Sequence, residues 1–204
     1  VLVEYYIEEK QTPSNIILGL DYSQHDFYVD SEGRKANYPK YYRKLESKLK
    51  LQQKRLSMKI LKSNNWIKQK KKISNLQNKI ANQRLDWLHK KSYRLANTFD
   101  AVIVEDINLR AMAQTLKSAK NLTDNGFGMF RSFLNYKLED KGKQLIKVDK
   151  WYPSSKTCSS CGNINENLQL KDRIYICEYC GLSIDRDFNA SINIKEVGST
   201  LLAW

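Results

Sequence analysis

The sequence predicts an α/β protein built on a mixed sheet, and three observations carry that expectation. Short, branched apolar runs recur at Asn15–Asp21, Ala101–Glu105 and Gln144–Asp149, each closing on an acid, and their length suits buried strands. Long stretches with helical spacing separate them. Four cysteines near the C-terminal end form a module of their own.

In chain order, VLVEYYIEEK at the start is strand-like and lacks an initiator Met. Residues 1–14 are expected to be the terminal strand of a preceding domain. The first buried strand is Asn15–Asp21. Asp26–Val29 and Arg34–Tyr38 flank the turn Ser31-Glu32-Gly33, a hairpin pattern that adds two antiparallel strands. From Lys40 the spacing turns helical, with Leu45, Leu49, Leu56 and Ile60 on one stripe. Ser63-Asn64-Asn65 interrupts it, and Ile73, Leu76, Ile80, Trp87, Leu88 and Leu95 resume it. Two long helices folded as a hairpin are therefore expected over about 40–97. Ala101–Glu105 is the next strand. A helix is expected over Gly126–Asp140, on Phe130, Phe133, Leu134 and Leu138, then a strand at Gln144–Asp149 and a last helix over Asp187–Lys195. Residues 198–204 carry no legible signal. A β-β-β, helix, β, helix, β order around a mixed sheet is that of the ribonuclease-H-like fold. The expected division is a core over 15–150, the cysteine module over 151–184, and a final helix and tail over 185–204.

The net charge of +13 is unevenly spread. Between Lys40 and Arg94 stand eighteen Lys/Arg and two acids, Glu46 and Asp86, a local net of +16; the rest of the chain has 17 basic against 20 acidic residues. A confined positive surface of this kind attracts phosphate backbones, so nucleic acid is the expected partner. No apolar run reaches the roughly 18–20 residues of a spanning helix, and no membrane partner is expected. Trp66, Trp87 and Trp151 could stack bases, although aromatics at helical spacing more often fill cores. His25 reads as a solvated turn residue and His89 as a helix surface residue.

Cys158/Cys161 and Cys177/Cys180 are all the cysteines of the chain, as two C-x2-C pairs with fifteen residues between them. Each pair brings two thiolates onto one ion from a tight turn, which suits a closed structural zinc site. Gly162 and Gly181 follow the second cysteine of each pair, where the turn needs positive φ. A closed site leaves no open position for catalysis, and paired cysteines without an export signal fit a reducing cytoplasm.

Chemistry is therefore sought among the carboxylates. Asp21 and Glu105 close two strands and Asp187 opens the last helix. Ligand sites gather at the carboxyl edge of parallel strands. Three converging carboxylates call for hard cations, Mg2+ or Mn2+, and two such ions suit in-line phosphodiester hydrolysis. Asp185 competes with Asp187, either of which could merely cap the helix. Asp106 should point opposite to Glu105 by strand alternation, and Asp149 is a possible accessory acid.

GLDYS, NYPKYYRKLESKLKLQQKRLS, KIANQRLDWLHK, VIVEDINL, KWYPSSKTCSSCG and DRDFNASINI, in this order, resemble the C-terminal half of the TnpB family. These proteins are encoded by bacterial insertion-sequence transposons and are relatives of the type V CRISPR nucleases. The resemblance spans about Asn15 to Ile194. It implies a RuvC-like (ribonuclease-H-like) nuclease fold with a helical insertion and a zinc ribbon. The implied activity is RNA-guided, Mg2+-dependent cleavage of DNA beside a short transposon-associated motif, with DNA and a guide RNA as partners in the bacterial cytoplasm, at the nucleoid. Carried over by motif, the catalytic, magnesium-binding acids fall on Asp21, Glu105 and Asp187, leaving Asp185 outside the set. The zinc ligands fall on the four cysteines. Ser23 departs from the family's usual glycine. The family's N-terminal wedge and recognition domains have no counterpart beyond the strand expected at 1–14. The competing expectation is a non-catalytic zinc-ribbon protein that binds nucleic acid.

Overall fold

The computed structural model describes residues 15–115, 124, 126–169 and 171–202; the strand expected at 1–14 lies outside them. Four strands form one sheet: β1 (Ile17–Ser23), β2 (Phe27–Asp30), β3 (Ala101–Glu105) and β4 (Gln144–Val148), in the order β2-β1-β3-β4. β2 runs antiparallel to β1, whereas β1, β3 and β4 are mutually parallel. The sheet is mixed, as expected.

The third antiparallel strand does not form. Arg34–Tyr38 joins the sheet through a single bridge, Lys35 to Val29. The buried Asp30 carboxylate accepts the N–H groups of Glu32 and Arg34 and the Arg34 side chain, which closes the turn tightly. Asn37 and Lys40 then take positive φ, 55° and 52°, so the backbone bends away before a ladder can extend.

Helices cover both faces of the sheet, and side-chain alternation assigns the residues to them. Leu18, Leu20, Val102 and Val104 point to one side, where Leu88, Leu95, Phe127, Phe130, Leu134 and Leu138 complete the main core. These come from α2 (Asn64–Thr98) and α4 (Phe127–Glu139); a short α3 spans Leu109–Thr115. Ile17, Gly19 and Ile103 point to the other side, against α5 (Arg186–Ser199). Contact there is backbone-close. A Cβ on Gly19 would collide with Ser191 O and with Lys195 N of α5, and one on Gly198 with the Ile103 side chain. α5 continues past the expected end at Lys195 because Val197 and Gly198 still pack on the sheet.

The basic segment is the expected helical hairpin, α1 (Tyr41–Ser57) and α2. Ser63 caps α2 by accepting the Trp66 N–H at 3.2 Å, so the polar interruption is where the new helix starts. Leu49, Ile73 and Ile80 are buried between the helices, and Gln69 donates to Gln52 Oε1 at 2.8 Å and to its carbonyl at 3.0 Å. The cysteine module carries its own two-stranded hairpin, β5 (Ile174–Ile176) with β6 (Ser183–Asp185). Among the described residues, no helix is long and apolar enough to cross a membrane.

Candidate active site and metal centre

In the parallel ladder Leu20 pairs with Val104, so Asp21 and Glu105, one step on, stand side by side at the carboxyl ends of adjacent strands. By alternation they share the face of Gly19 and Ile103, the α5 face. α5 begins at that same end. Its N-cap is Asp185, whose Oδ1 accepts the N–H groups of Asp187 and Phe188, each at 3.0 Å. Asp187 is thus a first-turn residue rather than the cap. Asp21, Glu105 and Asp187 line one open cleft of about 900 Å3 together with Lys40, Arg43, Lys150, Trp151, Arg173 and Arg186.

Electrostatics mark this as a strained acid group. Burial, then the neighbouring Asp187 and Glu105 carboxylates, push the Asp21 carboxyl well above the usual carboxylate range, although part of the residue still meets solvent. Burial pushes Glu105 up as well. Asp187 Oδ1 pairs with Arg186 Nη2 at 3.2 Å. The three acids are not drawn into a tight cluster: among the described residues, only the four cysteines bring three or more candidate metal-ligand atoms within 4.8 Å of one another. Asp21, Glu105 and Asp187 stand around a shared, open cleft.

The competing acids have other partners. Asp185 is exposed, caps α5 and lies 3.9 Å from Lys35 Nζ. Asp106 is exposed and pairs with Arg131 at 3.5 Å. Asp149 accepts the Trp151 N–H at 2.7 Å, which makes it a turn residue.

At the cysteines, Sγ of Cys158 and Cys180 are 3.6 Å apart, as are those of Cys161 and Cys177. A tetrahedron with metal–sulfur bonds of ~2.3 Å has edges of about 3.8 Å, so the donor set fits a zinc-sized ion. Gly162 and Gly181 take φ of 76° and 75°, as the turns require. Backbone N–H groups, that of Cys180 first and then Tyr179, pull the Cys177 thiol down to about 6. The Asn163 amide acts the same way on Cys161, yet burial and the three neighbouring sulfurs push that thiol up to about 12. Four thiolates at this spacing need a cation to ionise together.

The model of a family described as "Probable transposase" (OrfB_IS605) matches residues 1–116, more than half of the chain. The chain belongs to the OrfB/TnpB family. A second model, "Cas12f1-like, TNB domain", matches residues 127–194. A Streptomyces pristinaespiralis protein named "Putative RNA-guided DNA endonuclease" is 33% identical over 96% of this chain and 49% of its own length. InsQ of Escherichia coli K12, which carries the same description, is 31% identical over 94% of this chain and 51% of its own. The chain therefore spans about half the length of these curated relatives. Among solved structures, a Cas12f1–sgRNA–target DNA complex aligns with TM-score 0.62 at 20% identity over 91% of this chain and 51% of that one. A Cas12f ternary complex aligns with TM-score 0.65 at 21% identity over 94% and 40%. At that identity the likeness is one of fold.

Sequence reasoning missed several residues that build the site of this OrfB-family chain. Lys40 and Arg43, read only as part of the basic arm, stand at its base and line the acid cleft. Asn189 clamps the first cysteine knuckle, donating to Thr157 O at 2.7 Å and accepting the Ser159 N–H at 3.0 Å. Asn193 donates to Ser154 O and Thr157 O. The one signal available was two polar residues four apart on an otherwise apolar helix face. His25 is exposed and bonded to Asp26 Oδ1 at 2.8 Å. His89 is exposed too, and stacks on Phe133. Of the tryptophans, Trp87 packs against the core, Trp66 is half-buried and Trp151 is exposed.

Proposed function

We propose that this chain is the nuclease half of an RNA-guided DNA endonuclease of the OrfB/TnpB family, with a ribonuclease-H-like (RuvC) core, cutting DNA with Mg2+ or Mn2+. One observation carries this reading: acids from two adjacent parallel strand ends and a helix start line one cleft whose rim is cationic. Relatives covering nearly the whole chain are named as RNA-guided DNA endonucleases, which supports DNA as substrate and a guide RNA as partner of the intact protein. A bacterial cytoplasmic, nucleoid-associated setting accords with both.

Asp21, Glu105 and Asp187 offer hard oxygen donors whose mutual repulsion favours cation binding. Such ions, when bound, activate a water and stabilise the leaving oxygen of an in-line displacement. The chain's own groups do the rest. Lys40, Arg43 and Arg186 line the cleft beside the acids and would hold the flanking phosphates and oppose the developing charge. The basic hairpin would grip the backbone farther from the cut. Cys158, Cys161, Cys177 and Cys180 would hold structural Zn2+ and take no part in chemistry.

The test is cleavage of single-stranded DNA by the purified chain with Mg2+. The expected result is nicking that Asp187→Ala abolishes while DNA affinity stays within about two-fold, since binding and positioning reside in other contacts. Binding without any cut in the unsubstituted chain would leave it a zinc-ribbon nucleic-acid-binding protein.

A further inference from the structure

Trp151 is a large aromatic of the acid cleft that neither the core nor the acid chemistry uses. Its side chain is 80% exposed, on the rim of the cleft that Asp21, Glu105 and Asp187 line. Indole offers a broad π-face on which a flat ligand can stack. Its backbone is held firmly. Asp149 Oδ1 accepts the Trp151 N–H at 2.7 Å, Asp149 O accepts the Tyr152 N–H at 3.1 Å, and Ser154 O is tied to α5 by Asn193 at 2.8 Å. The ring thus projects from a turn fixed to the helix that carries Asp187. Lys150 Nζ lies over the ring, 4.9 Å from its centroid, so a cation sits on one face of the indole.

We propose that Trp151 is a stacking platform for one unpaired nucleobase, seating a single strand so that the adjoining phosphodiester lies over the three carboxylates. This rests on the nuclease reading above and names the form of substrate the site takes. A base within a duplex has both faces covered by its neighbours, so an exposed indole in this cleft selects unpaired strand. Sequence preference should be slight, because every base offers a π-face. The base takes the indole face opposite Lys150, and Lys150 supplies a cation for the adjoining phosphate.

The experiment irradiates the chain with single-stranded oligodeoxynucleotides carrying one 5-iodouracil and maps the crosslinks by mass spectrometry. Kinetics of Trp151→Ala and Trp151→Phe accompany it. Crosslinking at Trp151 is expected. Trp151→Ala should raise the apparent KM roughly 5- to 150-fold, the range that base–aromatic stacking supports, with little change in kcat, and Trp151→Phe should recover most of the loss. An abasic nucleotide at the crosslinked position should weaken the unsubstituted chain by the same factor and Trp151→Ala no further. Crosslinks confined to α1 and α2, with Trp151→Ala binding normally, would overturn the platform, as would cleavage that ignores the abasic site. A Trp151 crosslink in a chain that never cuts would keep the platform and remove the nuclease reading instead.

Discussion

Asp21 sets function against stability within one side chain. Its carboxyl is buried beside two other acids and is pushed far up as a result. A group with a raised folded pKa binds its proton more tightly folded than unfolded. As pH rises from the ordinary carboxylate range towards that raised value, the folded state holds the extra proton and stability falls. In magnesium-free buffer, Asp21→Asn should remove this slope and raise Tm at neutral pH by about 2–4 °C for each kcal/mol relieved. The same substitution should abolish metal-dependent cleavage. Thermal melts of the two chains between pH 4 and 8 check the sign; a less stable Asn variant would mean that the carboxylate is held by favourable contacts. At this scale strand-end acids after buried runs drew attention to Asp21 and Glu105, the family resemblance added Asp187, and all three line one cleft. The sequence could not show that Lys40 and Arg43 of the basic arm would line the same cleft. Nor could it predict that Asp185, two residues from Asp187, spends its carboxylate on capping α5, since either residue suits a helix start.

Elements with long periodic patterns were legible. The hairpin of α1 and α2 appears where Leu49, Ile73 and Ile80 are buried at helical spacing, and the strands with continuous apolar runs pair as a sheet. The strand expected at Arg34–Tyr38 failed for a local reason: Asp30 draws two backbone N–H groups into a turn, which no period-2 pattern announces. The apolar stripe of the hairpin is narrow, and Lys70, Lys71 and Lys72 are all exposed, with Lys70 Nζ 5.1 Å from the Trp66 ring centroid. Charges held on a stable helix, with no ion pair to an acid among the described residues, should exchange counterions with a phosphate backbone. Replacing these three lysines by Ala should flatten the plot of log K against log salt by roughly 0.7 per lost contact on single strands and 0.9 on duplex, without sequence dependence. Fluorescence anisotropy from low to moderate salt gives both slopes. Unchanged slopes would reassign the triplet to solvation.

Across the molecule, the cysteine module and the acid cleft are one mechanical unit. β6 ends at Asp185, Asp185 caps α5, and Asp187 follows in its first turn. From the other end of the module, Thr157 and Ser159, which bracket Cys158, are clamped to α5 by Asn189 and Asn193. The module's own core is small: Cys158, Tyr175 and Cys177, with Leu168, Leu182 and Ile184 against them. So few apolar groups order its loops weakly, and a zinc ion on the four cysteines would add its binding free energy to folding. Loss of the ion should loosen both attachments of α5 at the end that bears Asp187. The main sheet, whose larger core lies on the opposite face, should remain. One zinc per chain is therefore expected by elemental analysis. Cys177→Ala should expose the ribbon to protease, reduce cleavage at least ten-fold even in excess Mg2+, and leave hairpin-dependent DNA binding nearly unchanged. Asn189→Ala should reproduce part of the cleavage loss with zinc still bound, because it severs the clamp and spares the ligands. A zinc-free chain that cuts at the normal rate would show that α5 is positioned by the sheet alone, through Gly19 and Gly198, with the ribbon a passenger.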